Sequence, residues 1–539
     1  MNKIQLYSIV IIATLLGACN SDYLDTAPTD AVGSKTATAT TENAYKALNG
    51  IAREMSSQHY SYSQGAAGEN KIYAHYENYA SENYLFNRYA AGWADLHNMK
   101  LFLNNQISYD NYAWYYYYQL IGSANSILAG IDEATGPDNE KAFVKASALT
   151  FRAYSYEKLT RYYCYRWTDS NNGASEGLPL RLDESEGDLP KSTLAETFAQ
   201  IYKDCQEAIK LFESSNFDRG DDVWIPNKNV AHAVYARAAL SRHDYATARA
   251  QAKLAKVGYP LMSNDDYKAG FAAPTSEWIF GAFGASSENN WYWSYGTQFA
   301  CNGYYATKAD TGAGQIGRQL INRIPNNDVR KSLFITEDKF PSLDWTDPNT
   351  LNPTYAYIGI NASGDGIANP AAWKAVADYV SSMKPSGFTD PYSAGFMYLG
   401  GHLKFWVTDM PGVSYLPFIR TSEMVLIEAE AAYQSGDEAG AKAALIELNK
   451  TSGRNPEYEC NKSGEALWNE IMDYREVELW GEGSAWSDYK RWGRAIDRKS
   501  IADGGNAHAA VAVRINPNDA NKWTWVTPQL ETDFNGAIK

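Results

Sequence analysis

Two stretches of this chain repeat one pattern of paired helices. Asn229 to Arg242, a turn at His243-Asp244, and Tyr245 to Val257 make the first pair. Ser422 to Gln434, a turn at Ser435-Gly436-Asp437, and Glu438 to Asn449 make the second. Asp244 and Ala248 match Asp437 and Ala441 in spacing. Alanine at such positions lets helices approach closely, and units of this kind stack on their neighbours. The chain is thereby committed to a mainly helical architecture.

Paired helices with alanine at the packing positions resemble tetratricopeptide units. Helices are also predicted from about Glu42 to Met55, Tyr112 to Leu128, Ser192 to Glu213, Gly464 to Trp480 and Gly481 to Gly493. The clearest is Asn139 to Tyr163, where Ala142, Ala146, Leu149, Ala153 and Tyr156 recur every three or four residues. From Gly258 to Pro417 the character changes. Gly, Asn, Trp and Tyr dominate there, and short apolar runs such as Glu277-Trp278-Ile279-Phe280 predict brief strands. A long irregular insertion in a helical protein is more often functional than idle. The expected fold is mainly α. Tetratricopeptide-like hairpins, mainly over 139–257 and 418–493, support a loop-rich, aromatic-rich ligand-binding half over 258–417 with a few short strands. Residues 42–539 are expected to form one domain.

The N-terminus carries an address. Lys3 supplies a positive start, Ile9 to Leu16 an apolar run, and Leu16-Gly17-Ala18-Cys19 follows. The run is too short for a membrane span and reads as a signal peptide over 1–18. Small residues before a cysteine resemble the lipobox of bacterial lipoproteins, which implies lipid on Cys19 and a tether over 19–41. Several acyl chains on one cysteine suffice for stable anchoring.

The net charge of −15 excludes nucleic acid and anionic lipid as natural partners, since both require a basic surface. The 40 Tyr and 16 Trp outnumber the 18 Phe, an excess suited to surfaces that are apolar and wet at once. Cys164, Cys205, Cys301 and Cys460 are widely spaced and form no CxxC pair, so they are buried thiols or one or two disulfides. The seven histidines are scattered and make no compact ligand set, so neither metal nor cofactor is expected. Gly312-Ala-Gly314-Gln-Ile-Gly317 matches GxGxxG, but no apolar strand precedes it; it reads as a glycine-rich turn before a short helix. Ser155 and Lys158 form an SxxK pair without SDN or KTG partners and read as solvated helix positions. Nothing argues positively for catalysis.

The C-terminal half resembles the SusD/RagB family of outer-membrane nutrient-binding lipoproteins. Ile419-Arg420-x-x-Glu423-x-x-Leu426-Ile427-x-Ala429-Glu430-Ala431 is similar to the helix that starts that family's last repeat. Arg475-x-x-Glu478-Leu479-x-x-Glu482-Gly483, with Asp488-x-x-Arg491-Trp492-Gly493, resembles its C-terminal signature. Tyr118-x-x-Ile121-x-x-Ala124-Asn125, Gly177-Leu178-Pro179-Leu180 and Asp328-x-Arg330 fit the rest. Ala485 and Tyr489 depart from the usual arginine and leucine. The signature charges Arg475, Glu478, Glu482, Asp488 and Arg491 read as a partly buried, structural ion network.

The resemblance implies no enzymatic activity, no cofactor, and a SusC-like TonB-dependent transporter as partner. It implies a lipid-anchored protein on the outer membrane, facing the cell exterior, that captures oligo- or polysaccharide for import. Peptide capture within the same family is the alternative, and a surface glycoside hydrolase a more distant one. Sugars lay C–H faces on aromatic rings while their hydroxyls need polar partners at the rim. Two irregular stretches offer both. One is Trp93 with Asp95 and Asn98, joined by Tyr73. The other is Asn289-Asn290-Trp291-Tyr292-Trp293 with Tyr295, Asn302, Tyr304 and Tyr305. Trp93 ranks first, because relatives often place aromatic ligand contacts in this half. If the second stretch is extended, Trp291 and Trp293 share one side and Tyr292 faces the other.

Overall fold

The structure, a computed structural model, describes residues 37–57, 68–86, 94–282, 299–303, 314–344, 370–390, 399–408 and 415–538. Its principal helices are α1 (Thr41–Glu54), α2 (Ser108–Gly130), α3 (Asp138–Tyr163), α4 (Leu194–Ser215), α5 (Lys228–Ser241), α6 (Tyr245–Ala255), α7 (Thr421–Gln434), α8 (Glu438–Ile446), α9 (Gly464–Glu478) and α10 (Ala485–Trp492). Local signals set their starts. Thr193 and Glu196 form a reciprocal capping box at α4, and Asn227 caps α5 by accepting from the Val230 N–H at 3.1 Å.

The repeated pattern is a structural repeat. Asp244 accepts from the Thr247 N–H at 3.2 Å and Asp437 from the Gly440 N–H at 2.8 Å, so each caps the second helix of its pair. Ala248 and Ala441 are fully buried. α5 packs on α6 and α7 on α8, and α6 packs on α7, so pairs separated by the insertion in sequence adjoin in space. Charged clamps cross that junction: Arg249 to Asp437 at 2.7 Å, and Lys256 to Glu428 at 2.8 Å and Glu447 at 2.7 Å. α2, α3, α4 and α5 continue the array, each packing on the next.

Among the described residues, part of the tyrosine content serves the interior. Tyr112, Tyr116, Tyr117, Tyr154, Tyr156 and Tyr162 are all buried. Their hydroxyls find partners where the chain leaves acceptors inside. Tyr112 donates to the Gly68 carbonyl at 3.0 Å, Tyr117 to Glu69 at 3.2 Å, and Tyr162 to Glu77 at 2.9 Å. Burial pushes both carboxyl groups above the ordinary range, while Lys158 lies 3.9 Å from Glu69 and opposes the shift. Ser155 and Lys158 are therefore not solvated positions. α3 is enclosed on nearly all sides: Ser155 donates to the Phe151 carbonyl one turn back at 2.8 Å, while Arg152 and Lys158 face Asp204 and Glu69 from other segments. Glu69 and Glu77 belong to the segment that follows α1. It is a helical turn, Gly68–Lys71, widening into a π-helix over Ile72–Asn78, with the Tyr79 N–H bonded to the Ala74 carbonyl at 2.9 Å. Such widened turns mark functional sites more often than other helix.

The signature charges form two clusters, buried except for Arg491, which is half-buried. In one, Arg330, Lys404, Arg420 and Arg454 meet Glu277, Asp328, Glu478 and Glu482. Glu277 immediately precedes strand β1 (Trp278–Gly281), which pairs antiparallel with β2 (Pro417–Arg420). In the other, Asp488 joins Arg475 at 2.6 Å and Arg491 at 2.9 Å, and Arg491 continues to Glu430. Among the described residues the longest helix of the insertion is Pro370–Met383, which its composition did not announce. Cys164, Cys205, Cys301 and Cys460 all carry free thiols. Among the described residues no helix is long and apolar enough to cross a membrane, and no group of side chains is arranged to hold a metal ion.

Candidate ligand-binding site

Some of the described residues that flank the two aromatic stretches meet in one small region. Leu85–Phe86 pairs antiparallel with Gly314–Gln315, with Phe86 opposite Gly314, so the segments after residue 86 and before residue 314 start side by side. Tyr84 stacks on Trp480 at 5.0 Å and meets the ring of Phe299 at 6.1 Å. Phe334 and His402 close on the other parts of Trp480, at 5.2 and 5.0 Å. The Trp480 indole N–H donates to the Asn83 carbonyl at 2.6 Å, which fixes the ring. A buried aromatic layer thus fixes Tyr84, two residues before Phe86, against Phe299.

The glycine at 314 is required by this layer. A Cβ there would fall 2.2 Å from the Tyr84 ring, so any side chain would force the strand and the ring apart. The glycine-rich run read as a turn before a helix is in part that: Gly317 precedes a short helix, Arg318–Arg323, while Gly314 is in the strand pair.

Asp95 and Asn98 belong to a short helical turn, Ala94–His97, and its exit. Asp95 is exposed and lies 3.3 Å from Lys100. Asn98 is half-buried, and its amide donates to the Ala510 carbonyl at 3.0 Å. Arg498 holds this turn from the C-terminal side. Its guanidinium donates to the carbonyls of Val511 at 2.9 Å, Ser81 at 2.8 Å and His97. Burial among neutral acceptors pushes Arg498 down to about 10. Sequence reasoning missed Arg498, which stands beside Lys499 in a loop-rich tail with no motif around it.

Tyr73 is not on this surface. It is buried in the π-helix, its hydroxyl donates to the Pro417 carbonyl at 2.8 Å, and its ring meets Phe418 at 6.4 Å. Asn302 is likewise committed to the frame. It exchanges bonds with Val407, accepting from its N–H at 3.0 Å and donating to its carbonyl at 2.8 Å. Trp93, Trp291, Trp293, Tyr295 and Tyr304 lie outside the described residues.

Comparison with known proteins identifies the architecture. A family model described as "Starch-binding associating with outer membrane" matches residues 22–240, and the SusD family model matches residues 261–535. A SusD-like carbohydrate binding protein from Bacteroides vulgatus superposes with a TM-score of 0.71 at 20% identity, covering 93% of this chain and 97% of its own. A putative sugar binding protein from the same species gives 0.67 at 22% identity, covering 93% and 98%. A SusD superfamily protein from Bacteroides thetaiotaomicron gives 0.66 at 23% identity, covering 93% and 99%. No curated protein sequence matches. At these identities the superpositions establish a shared fold, while the family models reach almost the whole chain. With its hairpin array, buried signature charges and family match together, the chain belongs to the SusD family.

Proposed function

We propose that this chain is a surface lipoprotein that captures a glycan and passes it to a SusC-like TonB-dependent barrel in the outer membrane. Anchoring through lipid on Cys19 and a site facing the cell exterior are part of the reading. Support comes from family membership, from the lipobox-like Leu16-Gly17-Ala18-Cys19, and from solved relatives described as carbohydrate or sugar binding.

The observation that supports glycan capture is the approach of one described flank of each ring-and-amide stretch. Phe86 opposite Gly314, and Tyr84 against Phe299, bring their stems together on one buried layer. Rings for sugar faces and amides for hydroxyls can then serve one ligand. The exposed Asp95 carboxylate is the polar group in this reading with most freedom to meet a hydroxyl. Catalysis is not part of the proposal.

The test is retention on a panel of immobilised glycans, with parallel assay for new reducing ends. Retention of one glycan class without product is expected. Product formation would make the protein a hydrolase. Retention of peptides and no glycan would transfer the reading to peptide capture.

A further inference from the structure

A second cavity, lined by none of the residues of the aromatic stretches, opens where α9 and α10 meet α3 and α5. Its volume is about 50 Å³. A water needs about 10–15 Å³ on that scale, so the space suits a few waters or one small polyatomic ion. The wall is cationic: Arg161, Arg166, Arg237, Arg475, Lys490 and Arg491 all line it, against the single carboxylate of Asp488.

These cations have partners, and only Asp488, which pairs with Arg475 at 2.6 Å and Arg491 at 2.9 Å, is itself in the lining. Arg161 pairs with Glu157 at 2.7 Å, Arg166 with Asp169 at 2.8 Å, and Arg237 with Glu423 at 2.8 Å from its Nε. None of Glu157, Asp169, Glu423 or Glu430 lines the cavity. Lys490 donates to the carbonyls of Arg161 and Cys164, each at 2.8 Å, and has no carboxylate against it. Two guanidinium nitrogens are left over. Arg237 Nη1 and Arg475 Nη1 are buried and have no hydrogen-bond partner among the described residues, in side chains only 6% and 4% exposed. A buried charged N–H without an acceptor is costly, and a charge-assisted bond to an anion is the interaction that relieves it.

We propose that this cavity is a binding site for a small oxyanion, held by Arg237 and Arg475 at its base with Arg166 at its mouth. Planar guanidinium groups suit carboxylate, sulfate and phosphate alike. The source is either a free inorganic ion or the carboxylate of a sugar acid. Trp167 and Tyr165, half-buried in the same lining, offer ring surface for the latter.

Calorimetry on the whole mature protein, with phosphate, sulfate, glucuronate and neutral glucose as probes, tests this. Saturable binding of at least one anion, and none of glucose at this site, is expected. Phosphate or sulfate without glucuronate identifies a free ion; glucuronate alone identifies a sugar acid. Arg475→Lys should weaken binding by about tenfold or more, the scale of one lost charge-assisted bond. Ser241→Asp, which adds a carboxylate to the half-buried part of the lining, should weaken it similarly and keeps the test open should Arg475→Lys fail to fold. In crystals grown with selenate, anomalous signal should sit within bonding distance of both free Nη1 atoms. No saturable binding of any of the anions, binding indifferent to Ser241→Asp, or selenate located only elsewhere would overturn the proposal.

Discussion

Arg420 and Glu482 face each other through two bonds, Nε to Oε2 at 2.6 Å and Nη2 to Oε1 at 2.8 Å, with both side chains withdrawn from water. Arg420 ends strand β2 and Glu482 lies just beyond α9, so the pair joins the inter-hairpin strand to the C-terminal signature. Glu478 at 3.2 Å and Glu277 complete the ring of carboxylates around the same guanidinium. Burying so many charges is expensive, and the cluster holds because cations and carboxylates balance and each has several partners.

Removing Arg420 should therefore be severe. Arg420→Ala leaves the buried cluster with one carboxylate more than it has cations and is expected to cost about 3–5 kcal/mol. Arg420→Lys should also destabilise, because one ammonium cannot serve Glu277, Glu478 and Glu482 at once. Urea unfolding measures both. A loss below about 1 kcal/mol for the alanine variant, the scale of a surface pair, would show that the cluster is not stabilising.

Gly483 links the signature to the π-helix. Its φ is +72°, and a Cβ there would lie 2.4 Å from Tyr73 Cδ1. Gly436 has a similar φ of +81° but nothing within 4 Å. Gly436→Ala should cost about 1 kcal/mol from backbone strain alone. Gly483→Ala should exceed it by roughly 1–3 kcal/mol from overpacking against a fixed ring. Equal losses in thermal unfolding would mean that Tyr73 moves aside freely.

The hairpins were legible because their signals are local. Asp244 and Asp437 cap the helices that follow them, and Ala248 and Ala441 recur in register with them. What failed was anything decided by distant partners. Ser155 and Lys158 look solvated by type, yet Lys158 is buried beside Glu69, which comes from another helical segment. Tyr73 has the composition of a ligand contact, but its place is set by Pro417 and Gly483, far along the chain. The helix over Pro370–Met383 is hidden by glycine- and asparagine-rich flanks. At the candidate site, sequence supplied the rings and amides, while the stem pairing of Phe86 with Gly314 depends on contacts no short pattern encodes.

Glu476 should make stability fall with rising pH. It is buried beside Glu82 and accepts from the Tyr489 hydroxyl at 2.8 Å; burial, reinforced by the Glu82 charge, pushes it up to about 8, although Arg494 lies 3.8 Å away. The unfolded carboxyl loses its proton near the ordinary value of 4.5. Between these values the native state holds the extra proton, so stability declines as pH rises and levels off above about 8. Glu476→Gln mimics the neutral acid and removes this slope. Its stability relative to wild type should rise across that window by up to a few kcal/mol. Parallel pH dependences for the two proteins would exclude a raised carboxyl.

Cys19→Ala should release the protein from membranes, since lipid on that sulfur is the proposed attachment and no other anchor is invoked. Fractionation decides this. A variant still recovered with membranes, and freed only by detergent, would reject lipid on Cys19 as the anchor.

The glycan reading stands on aromatic rings, and they can be removed one at a time. Trp93→Ala, Trp291→Ala and Trp293→Ala should each weaken glycan binding by roughly 1–3 kcal/mol, the usual loss for an aromatic anchor. Tyr73→Phe is the internal control. Its hydroxyl is bound to the Pro417 carbonyl inside the fold, so deletion should lower stability by about 1 kcal/mol and leave affinity unchanged. A neutral sugar brings no charge, so affinity should vary little with salt. Calorimetry on folded variants separates the possibilities. Unchanged affinity in all three tryptophan variants would remove both stretches from the site. Loss in only one stretch would assign the ligand to that stem alone and end the case for a shared platform. Steep salt dependence would point instead to an anionic glycan, whose carboxylates would need arginines that neither stretch contains.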